Sequence, residues 1–351
     1  MNSKSLITLA AVAVVLGGAA YFLQSGNRPA AAKLNGKAIL PGLSVADVAR
    51  VELGGKLTLA ASADGWKVES LYGFPADREK IAENLMKLAE LKVGQVAHGR
   101  KLGAETAVVL KDASGKELAA LKLGDKHTKK ATGQAAMYGG GGYPDGRYAA
   151  FDGETVLVKD TLDAFDGDPK KWVDTRIASV SSSDVKAVKF AQGKEVVSLT
   201  KKDSTWTLEG LGPKEELDTS KTYSLDSALS YLDFNNVADP KKTDAELGFT
   251  TGAVYTVSLK NGQTYTAKVG GKEGSDRWIR LSAEFKAVGT NATENAACEK
   301  AVKEFNEKVA KWTYAVSSYS ADSMTKKRAD LVKAKEEPKK DDAKKDEKAA
   351  K

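Results

Sequence analysis

Histidine, cysteine and paired acids are the side chains that could do chemistry in this sequence, and there are few of them. The two histidines, His98 and His127, lie far apart, and neither has a cysteine or another histidine nearby. A zinc site takes about four closely spaced histidine, cysteine or carboxylate ligands, so this spacing does not predict one. Asp166 and Asp168 are near enough in sequence to form an acid pair, but no catalytic motif surrounds them.

The common nucleophile and metal-hydrolase motifs are missing as well. The sequence contains no GxSxG, HExxH or CxxC, so these enzyme classes lack their starting residues. Cys298 is the one cysteine, which excludes an intrachain disulfide. It recurs with Val302, Phe305, Val309 and Trp312 at helical spacing, which is typical of one buried helix stripe. We therefore predict packing for Cys298, surface positions for both histidines, and no catalytic, cofactor-binding or metal-binding residue.

The most conspicuous stretch is MYGGGGYPDGRYAA at residues 137–150. A phosphate-binding loop runs from a strand into a helix N-terminus and closes with a lysine and a hydroxyl residue. This stretch leads instead into a strand pattern, and the sequence has no GK[ST]. The glycines are therefore typical of a surface connection. Met137, Tyr138 and Tyr143 are apolar groups that a plain connection does not need, so a partner-binding loop is kept as a hypothesis.

The elements that must position these residues occur twice along the chain. Four segments of a first half match a second half: 44–53 with 182–190, 64–70 with 204–210, 106–126 with 254–272, and 147–153 with 277–283. Among the matched residues are Trp66 with Trp206, Gly124 with Gly270, Lys126 with Lys272, and Arg147 with Arg277. Such self-similarity indicates a repeated fold. We expect the two tryptophans to lie in equivalent cores.

Each half also has the pattern of an amphipathic helix. In the first, Asp77 predicts an N-cap, and the buried stripe is Ile81, Leu85, Leu88 and Ala89. In the second, Ser224 takes the cap position and the stripe is Leu225, Ala228, Leu229 and Leu232. Residues 254–260 alternate apolar with polar side chains before Asn261-Gly262, which predicts a β-hairpin. A further helix is expected over about 293–312.

The repeat explains the glycine-rich stretch. Between Lys126 and Arg147 the first half has twenty residues, His127 to Gly146, where the second half has the four residues 273–276. The stretch is thus a 16-residue expansion of a loop joining two strands. Long surface loops of this kind are tolerated thermodynamically.

The N-terminus predicts a membrane anchor. Leu6 to Leu23 is an 18-residue run without charge, which as a helix spans about 27 Å, close to the thickness of a bilayer core. A signal peptide has a shorter apolar core, roughly 7–15 residues, and the small residues Ala30 to Ala32 that could serve for cleavage lie well past the run. Lys4 favours a cytoplasmic N-terminus and an exported body, whereas Arg28 and Lys33 oppose it.

The positive charge is confined to the ends of the chain. The sequence carries a net charge of +7, but the N-terminal region and the tail from Lys326 hold the excess, which leaves residues 38–325 at about −1. A nucleic-acid surface needs a concentrated basic field, so this class of partner is excluded. The tail itself is mixed-charge, low-complexity sequence that cannot bury enough apolar surface to order itself.

We therefore predict an α+β fold of two tandem related modules, each an antiparallel sheet plus helix, with an N-terminal transmembrane helix and a C-terminal helix. The predicted segments are the anchor (1–25), a linker (26–37), the first repeat (38–176) with its expanded loop (127–146), the second repeat (177–290), the C-terminal helix and closing segment (291–325), and the charged tail (326–351).

These motifs resemble the bacterial envelope family catalogued as domain of unknown function 4340. The resemblance rests on ILPGLSVADVARVEL, DGWKV, KWVDTRI and KWTYAVSSYSADSMTKKRADL, and covers residues 38–331. It implies an N-terminal membrane anchor and, for many members, genes beside ABC-type transporter subunits of the gliding-motility-auxiliary kind. It implies no catalytic residue. The long glycine loop and the charged tail depart from the family pattern.

The expected function is that of an anchored extracytoplasmic interaction protein in the bacterial inner membrane. Its expected partners are membrane protein subunits of an ABC-type transporter or envelope assembly, and no cofactor is expected. Two alternatives stay open: a module that binds a glycan or peptide in a groove between the two halves, and an enzyme of unknown chemistry. Tyr314 and Tyr319 are the aromatic side chains that we expect to be exposed.

Overall fold

The computed structural model describes residues 34–131, 141–222 and 224–335. The chain divides between Asp174 and Thr175 into two compact units, here called unit 1 and unit 2. The predicted anchor, Leu6–Leu23, lies outside the described residues, as do most of the 26–37 linker and the tail from residue 336. None of the described helices has the length and hydrophobicity needed to cross a membrane.

The described part of unit 1 is built on one antiparallel sheet. Its strands are β1 (Arg50–Leu53), β2 (Leu57–Ser62), β3 (Gly65–Val68), β4 (Phe74–Pro75), β5 (Gln95–Val96), β6 (Thr106–Lys111), β7 (Glu117–Lys129), β8 (Tyr143–Phe151) and β9 (Glu154–Val158). They lie in the order β4-β3-β2-β1-β6-β7-β8-β9-β5. Alternating apolar residues supply the core: Val51 faces Leu59 on one side and Leu110 on the other, all fully buried.

One long helix of the described part of unit 1 lies against the 3-10 turns Val45–Asp47 and Pro169–Trp172. This helix, α1 (Arg78–Ala89), begins where the Asp77 carboxylate accepts hydrogen bonds from the backbone N–H groups of Glu79 and Lys80. Ile81, Leu85 and Leu88 are buried as the spacing predicted, and Ala89 is half-buried. The cap and the apolar stripe are both local signals, and both are confirmed.

The described part of unit 2 repeats this topology. Its strands are β10 (Arg176–Ala178), β11 (Val185–Gln192), β12 (Glu195–Lys202), β13 (Thr205–Leu208), β14 (Glu215–Leu217), β15 (Leu232–Asp233), β16 (Asn236–Val237), β17 (Ala253–Leu259), β18 (Gln263–Glu273), β19 (Asp276–Phe285), β20 (Tyr314–Ser317) and β21 (Val332–Ala334). The main sheet has the order β13-β12-β11-β17-β18-β19-β20-β16, which matches unit 1 without β4. The pairs β10–β15 and β14–β21 form separate two-stranded ladders.

The two units differ in which connection has grown. In unit 2 the connection from β19 to β20 contains helix α2 (Ala292–Val309), whereas the equivalent turn in unit 1, from β8 to β9, is Asp152-Gly153. In unit 1 it is the connection from β7 to β8 that is long. The strands also extend into this connection, because His127 pairs with Gly146 and Lys129 with Tyr143. The predicted boundaries of the loop, 127–146, were therefore wrong, because they included residues that belong to the two strands. We call the described residues 127–131 and 141–146 the arm.

The second predicted sheet-packed helix does not form. Residues 224–230 make successive turns, in which the N–H groups of Ser227 and Ser230 donate to carbonyls three residues earlier. The Leu225 carbonyl, which a helix would use internally, accepts a hydrogen bond from the Tyr255 hydroxyl instead. Leu225 and Leu229 are still buried, so the apolar spacing was right and the helical conformation was wrong.

Helix α2 confirms the predicted C-terminal helix and begins after the Asn291 side chain, which caps it. Val302 and Val309 are buried, whereas Cys298 and Phe305 are half-buried. A short helix, α3 (Ser318–Asp322), follows β20. The tryptophan prediction is only half right: Trp206 is buried, but Trp66 is half-buried.

Candidate functional site

Four charged side chains form a closed cluster where the arm joins the sheet of unit 1. Lys126 on β7 places Nζ 2.5 Å from Asp163 Oδ1 and 2.7 Å from Asp166 Oδ2. Arg147 on β8 faces Lys126 across the strand pair and places Nη1 2.7 Å from Asp166 Oδ1. The cluster therefore clamps the turn 163–166 onto the two strands beneath the arm.

Arg147 is the most deeply buried charge of this cluster, with 4% of its surface exposed. Its Nε donates to the Gly124 carbonyl at 2.9 Å and its Nη1 to the Leu162 carbonyl at 3.1 Å. A buried guanidinium destabilises a fold unless its donors are satisfied, and here two carbonyls and one carboxylate satisfy them. Gly124 itself tolerates no side chain, because a Cβ would lie 2.1 Å from the Leu102 carbonyl oxygen.

Two charges of this cluster, those of Lys126 and Asp163, favour their ionised forms. Burial of the ammonium acts to lower the pKa of Lys126, but the hydrogen bonds that it donates to the carboxylates of Asp163 and Asp166 more than offset this effect, so the pKa is raised. The same ammonium holds the pKa of Asp163 below its usual range. Neither Lys126 nor Asp163 is therefore poised to exchange a proton near neutral pH, and the cluster acts as a clamp.

One layer further along the arm, His127 is paired with an acid. Its Nδ1 lies 2.5 Å from Asp145 Oδ1, and its ring meets the Tyr148 ring edge-on at 5.9 Å. The Arg100 guanidinium covers the face of Tyr148 at 3.8 Å. A carboxylate on one imidazole nitrogen fixes the tautomer and orientation of the ring, as it does behind a general base. Sequence reasoning placed His127 in a surface loop and missed Asp145.

Unit 2 repeats the arginine but not the rest of the arrangement. Arg277 donates from Nε and Nη2 to the Gly270 carbonyl, at 3.3 and 3.0 Å, and its Nη1 lies 3.2 Å from Asp322 Oδ1. The match of Arg147 with Arg277 and of Gly124 with Gly270 is thus confirmed. At the position of the arm, β18 and β19 end in a tight turn with Glu273 paired to Asp276.

A second polar cluster lies inside unit 2. Lys201 Nζ is 2.5 Å from Asp226 Oδ2, and both side chains are largely buried. The ammonium also lies 5.6 Å from the Trp206 ring centroid. Burial, with the negative charge of Asp226, raises the pKa of the neighbouring Tyr255 hydroxyl. This pair ties the irregular 224–230 segment to strand β12, which carries Lys201.

Large aromatic side chains are exposed elsewhere in unit 2. Tyr231 is 78% exposed, and the Arg176 guanidinium lies 4.9 Å from its ring centroid. Asp233 holds that guanidinium through two hydrogen bonds, at 2.8 and 3.1 Å. Tyr319 on α3 is 91% exposed, as expected, but Tyr314 is fully buried on β20 with its ring 5.4 Å from that of Phe234. The prediction that Tyr314 is exposed was therefore wrong.

The remaining predicted residues are scattered. Tyr143 is 56% exposed on the arm, whereas Met137 and Tyr138 lie outside the described residues. His98 is exposed, with Nδ1 3.8 Å from Glu154 Oε2. Asp168 accepts a hydrogen bond from the Lys170 backbone N–H and so caps a 3-10 turn, which separates its role from that of Asp166.

Cys298 is a free, half-buried thiol on α2, so its predicted full burial is not reached. Its backbone carbonyl accepts a hydrogen bond from the Gln263 side chain at 3.2 Å, which ties α2 to β18. Across the part of the chain that the structure describes, histidine, cysteine and acidic side chains form no cluster of three or more that could hold a metal ion.

The fold and these clusters define an α+β protein of two tandem antiparallel-sheet repeats, with an ion-pair clamp under an extended arm. The chain belongs to the family described as Domain of unknown function (DUF4340), whose model matches residues 66–251. The match begins in β3 of unit 1 and ends just before β17 of unit 2. No curated protein and no solved structure matches the chain.

Proposed function

We propose that the protein is a single-pass, membrane-anchored interaction protein of the bacterial inner membrane, with its body on the extracytoplasmic side. In this proposal it is an accessory to an ABC-type transport or envelope assembly. One observation favours interaction over catalysis. Within each cluster the polar groups bind one another, whereas Tyr231 and Tyr319 are exposed to solvent.

The surroundings of Tyr231 favour protein binding. Tyrosine and arginine are the residue types enriched in binding hot spots. Arg176 is fixed by Asp233 and supports one side of the Tyr231 ring, so little side-chain entropy is lost when a partner covers the ring. Tyr319 adds a second large apolar group in the same unit.

The partner class is proposed from the anchor and from the resemblance. An uncharged run of 18 residues, Leu6 to Leu23, would confine the body to the membrane plane. Confinement raises the effective concentration of other membrane-bound proteins, which benefits an assembly factor more than an enzyme with a soluble substrate. The gene neighbourhoods typical of the family point to transporter subunits as those proteins.

Site-specific photocrosslinking in intact cells tests this proposal. A photoreactive side chain at Tyr231 or Tyr319 of the full chain should capture integral membrane transporter subunits. The same group at Tyr72, an exposed tyrosine of unit 1, is the matched control and should capture far less. Deleting Met1 to Gln24 should sharply weaken capture. No membrane partner from either position, together with glycan binding by the protein at micromolar affinity, would replace this proposal with the glycan-binding one.

Each of the two alternative functions is supported by one specific observation. A shallow groove of about 440 Å³ in unit 1, lined by Ala49, Ala60 and Ala113 among others, favours a peptide-binding module. The pairing of His127 with Asp145 favours an enzyme that uses the imidazole as a base. His127→Gln would then abolish an activity in a protein that is still folded, whereas the interaction proposal expects no catalytic loss.

A further inference from the structure

The arm has the chemistry of a membrane-surface contact. We propose that it docks on the anionic headgroup layer of the membrane in which the chain is anchored, with Lys129 and Lys130 against lipid phosphates and Tyr143 at the interface. This inference rests on the anchoring part of the proposed function and is independent of the protein partner.

The outer part of the arm is exposed on both faces. Thr128 pairs with Pro144 and Lys129 with Tyr143, and all four side chains are exposed, as is Lys130. The buried positions of β7 and β8 thus end at the layer of His127 and Asp145, which are themselves half-buried. Beyond that layer the paired side chains are exposed, and neither β6 nor β9 extends alongside the two strands, so this part of the hairpin projects past the rest of the sheet.

The charge of the arm is one-sided. Residues 127–131 and 141–146 contain a single acid, Asp145, and His127 binds its carboxylate. Within the described residues neither Lys129 nor Lys130 forms an ion pair. Each lysine close to an anionic lipid surface contributes about 1 kcal/mol of attraction, and tyrosine favours the headgroup level because its ring is apolar and its hydroxyl polar.

A lipid surface suits this shape better than a protein does. A stable protein interface buries about 800 Å² on each partner, and a two-stranded hairpin exposed on both faces offers no flat surface of that size. Docking on a headgroup layer needs only a few cations and one interfacial aromatic group. The clamp of Lys126, Arg147, Asp163 and Asp166 lies directly beneath the arm and holds the base of the hairpin in place.

The chain enters unit 1 close to the arm. Gly36 donates a hydrogen bond to the Val93 carbonyl, just before edge strand β5, and β5 lies two strands from β8, about 10 Å. Ten residues separate Leu23 from Leu34, and ten residues span at most about 35 Å. In an anchored chain, the edge of the unit 1 sheet that is nearer to the arm is therefore within reach of the bilayer.

Fluorescence quenching by labelled lipids tests the proposal. The full chain carrying Cys298→Ser receives one new thiol, either Thr128→Cys on the arm or Ser275→Cys in the equivalent turn of unit 2, and is labelled with an environment-sensitive dye. Both positions are exposed, so Ser275→Cys is the matched control. Each protein is reconstituted into vesicles of equal parts phosphatidylcholine and phosphatidylglycerol, or of phosphatidylcholine alone, with a quencher on the lipid.

We expect the arm label to be quenched strongly in the anionic vesicles, and the control label weakly. High salt, phosphatidylcholine alone, or Lys129→Glu with Lys130→Glu should release the arm, the last by at least about 30-fold in the docked-to-free ratio. Equal quenching of both labels in a protein that floats with the vesicles would overturn the arm proposal and leave the anchor intact. Failure to float would overturn the anchor and this inference with it, and crosslinking of the arm to a protein in place of quenching would also overturn it.

Discussion

The side-chain amide of Asn306 on α2 makes the two hydrogen bonds to Ala283 that a neighbouring strand would make. Its Nδ2 donates to the Ala283 carbonyl and its Oδ1 accepts from the Ala283 N–H, both at 2.8 Å. Strand β20 pairs only with residues 276–279 of β19. Further along, β19 keeps β18 on one side but has no strand of the described residues on the side where Asn306 binds. The Asn306 side chain on helix α2 thus takes the place of a neighbouring strand at this edge of β19.

Asn306→Leu should therefore destabilise unit 2 more than an ordinary helix substitution. Leucine keeps the volume but leaves the N–H and C=O groups of Ala283 without partners, at a cost of about 1–3 kcal/mol for each group. Urea unfolding should show a loss of about 3 kcal/mol. Glu299→Ala, on the exposed side of the same helix, is the control and should change the free energy of unfolding by no more than about 0.5 kcal/mol. Equal losses for the two variants would mean that water replaces the amide.

The repeated arginines should differ in importance. Arg147→Met leaves the buried carbonyls of Gly124 and Leu162 without a donor, so we expect unit 1 to lose about 3 kcal/mol in the free energy of unfolding. Arg277→Met removes hydrogen bonds from one carbonyl, at a more exposed position, and should cost unit 2 about 1 kcal/mol. Urea titrations of both variants measure this comparison. If Arg277→Met lost more free energy of unfolding than Arg147→Met, burial of the arginine would not be the cause of the difference between the two variants.

The stability of unit 1 should depend on pH through Glu52. Hydrogen bonds from Lys111, then from Arg50, lower the pKa of this carboxyl below its ordinary value of 4.5. Because the folded pKa lies below the unfolded one, Glu52 stabilises the fold above the unfolded pKa, and that stability is lost as the pH falls through the folded pKa.

The measurement is the urea midpoint of the wild type and of Glu52→Gln from neutral pH downward. The wild type should be the more stable at neutral pH, and the two midpoints should converge well below pH 4. Glu90→Gln, an exposed change on the same unit, controls for the general effect of acid. A gap that stays constant to low pH would mean that packing, and not charge, separates the two proteins.

Shortening the arm should leave the fold intact. Replacing residues 130–142 by Asn-Gly keeps the pairing of Lys129 with Tyr143 and closes the strands with a two-residue turn. The smaller closure entropy should hold stability level or raise it by about 1 kcal/mol. Replacing the whole of His127 to Gly146 by the four-residue turn of unit 2 should be less favourable, because the contacts of His127 with Asp145 and Tyr148 are lost. Thermal unfolding of both variants distinguishes these effects.

The features predicted correctly from the sequence are those that depend on residues close together in the chain. The cap at Asp77, the stripe of α1 and the turn at Asn261-Gly262 each depend on side chains within a few positions of one another, and all three are present. The match of Gly124 with Gly270 was also visible, because a β-bulge crossed closely by another backbone admits no side chain.

What it missed depends on partners distant in the chain. The 224–230 segment has a helical apolar spacing but forms turns, and two of its groups bind partners far away in the chain: Asp226 binds Lys201, 25 positions away, and the Leu225 carbonyl binds Tyr255. Asp145 binds His127 across 18 positions, through a strand register that spacing alone cannot supply. Tyr314 is buried because β20 lies in the sheet beside β19, which its short apolar pattern did not indicate.

The different growth of the two repeats offers a route to engineering. Unit 2 accommodates an 18-residue helix where unit 1 has the turn Asp152-Gly153, and unit 1 accommodates the arm where unit 2 has a turn at Gly274-Ser275. An insertion found in one unit thus indicates that the equivalent turn of the other unit can accept foreign sequence without disturbing the sheet. An epitope tag or a small reporter domain placed at Asp152-Gly153 or at Gly274-Ser275 should be displayed on a fully folded chain.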